Sequence, residues 1–106
     1  MELDGQDLLS RLRADDPPSV VIGWRDVEAA AAQNVISRHA PDLLDDVEMT
    51  GFYDTPWSRN ARPPFTTVNL NLETIVDEAC EVIEARLRGK EIDPPTLWVK
   101  PRLVVR

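Results

Sequence analysis

Short β-branched runs alternate along this chain with apolar stripes of helical period, and that alternation limits the fold more than any other feature. The clearest stripe is Leu72, Ile75, Val76, Ala79, Cys80, Ile83 and Leu87, spaced by three and four residues. Asn71 is the predicted N-cap, Leu70 and Ile75 its staple, and Gly89 the stop. A second helix runs from Asp4 to about Ala14, with Leu8, Leu9 and Leu12 on one face. Asp4 caps it, Leu3 and Leu8 staple it, and Asp16-Pro17-Pro18 ends it. A third covers Val27 to about Arg38, with a small, close-packing face from Ala29 to Ala32. Asp26 is placed to cap it, Glu28 suits its positive end, and Pro41 marks its close.

Between the helices lie the strand candidates. Val20, Val21 and Ile22, inside Ser19–Gly23, predict a strand buried on both faces. Asp45–Phe52 and Thr66–Leu70 follow, and Leu97–Val105 is a last strand broken by Pro101, which favours an edge or a bend. Residues 53–65, with Pro56, Pro63 and Pro64, read as a long loop. Strands and helices joined by short links imply an α/β fold with a mainly parallel sheet.

Charge and length narrow the functional classes. The chain has 106 residues and a formal charge of −7. Residues 1–54 are strongly acidic and only 86–106 are net basic, so there is no broad basic face for phosphate backbones. The basic stretch reads as a solvated strand and loop. A chain this short sits near the size where burying enough apolar surface is hard. The single cysteine, Cys80, cannot form an internal disulfide, which fits a reducing cytoplasm. No apolar run is long enough for a bilayer, and Met1 is followed by acidic residues rather than a secretory leader. A cytoplasmic protein without a membrane partner is the expectation.

Catalytic chemistry finds little support. His39, the only histidine, falls near a predicted helix end and reads as a surface or capping residue. Cys80 lies on the apolar stripe and reads as a buried small hydrophobe rather than a reactive thiol. One His and one Cys cannot make a zinc site. Asp15-Asp16 and Asp45-Asp46 read as turn and cap residues. With four glycines, no phosphate-binding glycine loop exists. Neither an enzyme nor a cofactor is expected.

Ligand binding is the better-supported class. Open α/β sheets bind ligands outside the carboxyl ends of their strands. Trp24, Arg25, Asp26, Tyr53 and Asp54 fall there, with ligand contact weighed most seriously for Arg25 and Tyr53 and capping preferred for Asp26. Trp57 and Trp98 lack that placement and read as loop and strand packing.

The segments fall in a distinctive order. Pro18-Ser19-Val20-Val21-Ile22 precedes Asp26 and its alanine-rich helix. Asp46-Val47-Glu48-Met49-Thr50-Gly51-Phe52-Tyr53-Asp54 comes next, followed by Pro64-Phe65-Thr66-Thr67-Val68 and the long helix. Arg88-Gly89-Lys90 and Lys100-Pro101-Arg102-Leu103-Val104-Val105-Arg106 close the series. This order resembles the final third of lactose-repressor-type (LacI/GalR) transcriptional regulators, over nearly the whole chain. The resemblance implies a periplasmic-binding-protein-like (type I) fold, here as a C-terminal lobe fragment. Residues 1–65 and roughly 92–106 would form the C-terminal lobe, and 66–91 a crossover strand and helix of the other lobe. It also implies a small-molecule effector, a homodimer, and DNA contact only through an N-terminal helix-turn-helix head that this chain lacks. A helix standing free of its natural cover would expose a large apolar patch, so the chain is expected to dimerise, to rearrange, or to be one piece of a larger fold.

Departures from the family pattern bear on the ligand. The family's effector-contacting Asn, before the helix-opening Asp, is Arg25 here. Its sugar-bonding Asp is Tyr53, while the following, more structural Asp is kept as Asp54. Its aromatic pocket position is Leu72. Asp and Asn suit neutral polyols, Arg suits carboxylates and phosphates, and Tyr offers stacking with one hydroxyl. These residues point to an acidic or phosphorylated metabolite, or to a pocket that has lost its ligand. Two other readings stay open: a periplasmic-type solute-binding protein of a transport system, and a ligand-free interaction module, the latter favoured if Arg25 and Tyr53 are buried against protein groups.

Overall fold

A computed structural model describes residues 4–91 and 96–106. Four helices and four strands follow in the order α1 (Gly5–Leu12), β1 (Val20–Ile22), α2 (Asp26–His39), β2 (Glu48–Thr50), α3 (Pro56–Asn60), β3 (Thr67–Asn69), α4 (Leu72–Leu87) and β4 (Arg102–Val104). A 3-10 turn at Pro41–Leu43 separates α2 from β2.

β1 and β2 pair in parallel, with Val21 opposite Met49. A parallel bridge between Thr50 and Thr66 carries the pairing onward. Gly51 N–H donates to Thr66 O at 3.0 Å and Tyr53 N–H to Val68 O at 2.8 Å, so β3 lies beside the end of β2. β4 then joins β3 antiparallel, with Leu103 opposite Val68. The α/β fold with a parallel sheet is therefore present, and its last strand runs the other way.

The core is small and sits between α1, α2 and the sheet. Leu8, Leu12, Ala29, Ile36, Met49 and Phe65 are buried together, with Val21, Val35 and Val47 packed against them. Each fully buried Ile or Phe contributes about 2–3 kcal/mol of transfer free energy. The alanine-rich face of α2 permits this closeness: a Cβ added at Gly23 would stand 2.6 Å from Ala29 N. Asp4 caps α1, accepting from the N–H of Gln6 at 2.9 Å and of Asp7 at 2.8 Å. Leu3, its predicted staple partner, lies outside the described residues, as do Pro94 and Pro95.

Several sequence expectations need correction. The β1 run is not buried on both faces: Val20 is 45% and Ile22 78% exposed. Among the described residues its hydrogen-bonded neighbour is β2 alone and α2 covers one side, so alternate residues face outward. The 53–65 segment contains α3, opened by Pro56 in the first turn, where a missing N–H costs no hydrogen bond. The last strand starts after Pro101 rather than at Leu97, and Trp98 is 91% exposed instead of packed. Trp57 is likewise exposed on α3.

α4 ends as expected. Gly89 adopts φ +75°, its N–H donates to Arg86 O at 3.0 Å, and Lys90 N–H to Ala85 O at 2.9 Å. This left-handed stop satisfies carbonyls that the helix leaves open. No α4 residue is buried. Ile75, Val76, Ile83 and Leu87 are exposed, and Cys80 is exposed rather than buried, because no described residue covers that stripe. The shape follows: 61 × 26 × 18 Å with a radius of gyration of 19.0 Å. A compact chain of this length would have about 13 Å.

Candidate functional site

The parallel strands all end on one side of the molecule, and Asp26 ties those ends together. It is fully buried and opens α2 as its first residue. The cap position belongs to Arg25, so the capping role expected of Asp26 is not what its side chain does. Its carboxylate instead accepts from Thr55 N–H at 2.6 Å, Thr55 Oγ1 at 2.9 Å and Thr67 Oγ1. Its own N–H donates to Phe52 O at 3.1 Å. One side chain thus joins α2, the β2–α3 turn and β3. Gly51 makes room for it, since an added Cβ would meet Asp26 Cα at 2.9 Å.

Arg25 turns along its own helix. Its N–H donates to Glu28 Oε2 at 3.1 Å, and its Nε donates to Glu28 Oε1 at 3.0 Å. The same pairing raises the Arg25 pKa and lowers that of Glu28. Both side chains are about half exposed. Trp24 is 84% exposed and lines a separate groove beside β1 and α1.

After β2 the backbone takes an uncommon course. Tyr53 has φ 92° and Asp54 φ 52°. Positive φ strains a bulky residue by about 1–3 kcal/mol, so the surroundings must hold it. They do so through Asp54. Its N–H donates to Thr67 Oγ1 at 3.2 Å, its Oδ2 accepts from Asn69 Nδ2 at 2.9 Å, and its Oδ1 accepts from Arg106 Nη2 at 2.8 Å. Arg106 Nη1 donates further, to Ser58 Oγ at 3.1 Å and Phe65 O at 3.3 Å. Hydrogen bonding from Arg106, then from Asn69, holds the Asp54 carboxyl below the usual carboxylate range.

This turn presents Tyr53, 41% exposed and edge-on to Phe52 at 5.8 Å, to an open hollow of about 320 Å³. Asn69, Asn71, Leu72, Glu73 and Thr74 line the rest. Of the predicted site residues, Tyr53 and Leu72 share this hollow. Asp26 and Asp54 are held in internal hydrogen bonds, Arg25 pairs with Glu28 within electrostatic reach of Tyr53, and Trp24 lines the separate groove. Neither Arg25 nor Tyr53 is buried against protein groups. Sequence reasoning missed Asn69, Asn71 and Arg106. The available signal was two asparagines flanking a strand end, directly before a helix.

Comparison with known proteins places this geometry. The periplasmic binding protein-like domain family matches over residues 1–106, and the chain belongs to it. The repressor PurR of Mannheimia succiniciproducens is 28% identical over 104 residues, covering 97% of this chain and 31% of the relative. The regulator GalR of Escherichia coli is 30% identical over 88 residues, covering 83% and 26%. A solved complex of the transcriptional regulator CelR with cellobiose is 27% identical, with a TM-score of 0.80, covering 96% of this chain and 30% of that one. A LacI-family regulatory protein from Chloroflexus aggregans shares the fold, with a TM-score of 0.84 at 20% identity. The resemblance to LacI-type regulators thus holds in sequence and in fold. The chain spans about a third of the length of those relatives.

Proposed function

We propose that this chain is the effector-binding and dimerisation region of a LacI-type DNA-binding transcriptional regulator that responds to a sugar or sugar-derived metabolite. The observation that carries the proposal is the Tyr53–Leu72 hollow at the strand ends, in a chain that superposes on a cellobiose-binding regulator. Tyr53 would stack on a ring, and Asn69, Asn71 and Thr74 would bond hydroxyls. Asp54 holds the turn that carries Tyr53, buried Asp26 anchors the strand ends without meeting the ligand, Arg25 would stand at the edge of the site, and Trp24 belongs to the separate groove. An acid would have to share Arg25 with Glu28 before gaining its charge, whereas a neutral polyhydroxy ligand meets no such competition.

In this reading residues 1–65 and 92–106 belong to one lobe, and 66–91 cross to the other. The bare stripe of α4 packs within the complete effector domain, a homodimer holds two DNA-reading heads in register, and ligand shifts the relation of the lobes. DNA is reached only through an N-terminal helix-turn-helix head. Among the described residues no helix is long and apolar enough to cross a membrane.

A nitrogen-15 chemical-shift titration with cellobiose, gluconate and glucose 6-phosphate tests the site. The amides of Tyr53, Asn69, Asn71 and Leu72 should shift most, and most strongly with the neutral sugar. Shifts confined to other surfaces, or none with any of the three, would overturn the assignment of the hollow. The sequence encoded before Met1 separates regulator from transporter: a helix-turn-helix pattern supports the first, a basic-then-apolar leader the second.

A further inference from the structure

The residues joining the sheet to α4 form an unbroken polar chain. Arg106 holds Asp54, and Asp54 accepts from Asn69 Nδ2 at 2.9 Å. Asn69 Oδ1 accepts from Asn71 N–H at 2.8 Å, and Asn71 Nδ2 donates to Lys100 O. Asn71 is the left-handed residue, φ 54°, from which α4 departs, and Lys100 lies on the returning segment. Both passages between the sheet and α4 are thus joined by side-chain amides.

Asn69 is the only member of this chain that bonds both the Asp54 turn and the start of α4. Its amide uses both ends, donating to a carboxylate and accepting from a backbone N–H, which neither a carboxylate nor an apolar side chain can do. Among the described residues no member of the α4 stripe joins the buried core, so core packing does not fix the helix direction. Asn69 also lines the hollow beside Tyr53 and Asn71.

We propose that Asn69 is a positioning residue that sets the direction in which α4 leaves the sheet, from within the hollow assigned to the effector. This deepens the functional reading above, because a ligand bonding Asn69 or Asn71 would compete directly with the bonds that aim α4. Hinges between rigid parts are commonly a few element-terminal residues of this kind.

The test needs no ligand, so its failure is separate from failure of the effector assignment. Cys80, exposed on α4, takes one nitroxide label, and Ser37→Cys, exposed on α2, takes a second. Electron–electron double resonance on the whole chain, diluted with unlabelled protein, reads the distance between them. The parent should give one narrow distribution. Asn69→Ala should widen it roughly twofold and move its mean, with the circular dichroism spectrum unchanged.

Asn69→Asp keeps the acceptor for Asn71 but sets a second carboxylate against Asp54, with Arg106 and Arg59 as the nearby cations and Glu73 on the first turn of α4. Its distribution should be wide at about pH 7 and narrow again near pH 4.5, where the new carboxyl holds a proton it can donate to Asp54. A residue that merely stabilised the fold would lower the melting temperature without moving the distance in folded protein. Unchanged distributions in both variants, or an Asn69→Asp distribution indifferent to pH, would overturn the proposal. If Asn69→Ala does not fold, the pH response of Asn69→Asp decides alone.

Discussion

Arg106 donates to Asp54 Oδ1 at 2.8 Å across 52 positions of sequence, and both side chains are largely shielded from water. The pair fastens the last strand to the turn that presents Tyr53. Because the folded Asp54 pKa lies below its unfolded value near 4, the pair stabilises the fold above that pH, and the stabilisation is lost as pH falls through the folded value. Asp54→Asn should therefore lower urea stability by about 1–3 kcal/mol at neutral pH. The gap from the parent should narrow in acid, as pH falls below the ordinary carboxylate range. An equal deficit at both pH values would contradict the assigned ion pair.

Asp26 should be the least replaceable polar residue of the described chain. Asp26→Asn substitutes a donor for one oxygen facing Thr55 and Thr67, and Asp26→Ala leaves those donors unmet. Losses of about 2 and 3–5 kcal/mol are expected from chemical denaturation. Thr67→Val removes the hydroxyl shared by Asp26 and Asp54, and should cost about 1–3 kcal/mol.

Gly23 and Gly51 are required by space rather than by backbone angle. A methyl at Gly23 would meet the backbone of Ala29, and one at Gly51 the backbone of Asp26. Neither neighbour can rotate away. Alanine at either position should destabilise by about 1–3 kcal/mol, read as a lower denaturation midpoint with an unchanged slope. A neutral Gly51→Ala would show that α2 sits farther from β2 than described.

Cys80 gives a direct report on α4. In the free chain its thiol should react with a disulfide reagent as fast in native buffer as in denaturant, corrected for thiolate fraction. Strong protection that disappears on dilution would show a second copy lying on the stripe.

Periodicity carried the helices and the face each would bury, because a 3.6-residue repeat is a local property. It could not say what covers that face. Cys80 and Ile83 stand on the right stripe of α4 and remain exposed, since cover must come from another segment. Asp26 shows a second limit. An Asp ahead of an alanine-rich helix reads as a cap, yet a start one residue earlier turns its side chain inward to Thr55 and Thr67. Tyr53 and Leu72 were legible from the rule for strand ends and from the family pattern. Asn69 and Arg106 were not, because their partner Asp54 is 15 and 52 positions away and local pattern holds no record of such distances.

That 52-residue separation also sets an order of events during synthesis. At roughly 5–20 residues per second, Arg106 is made about 3–10 s after Asp54. Through that interval α2, β2 and β3 can assemble around Asp26, while the Tyr53 turn waits without its cation. The turn that carries Tyr53 therefore gains its ion pair only after the segments of the scaffold beneath it have been made.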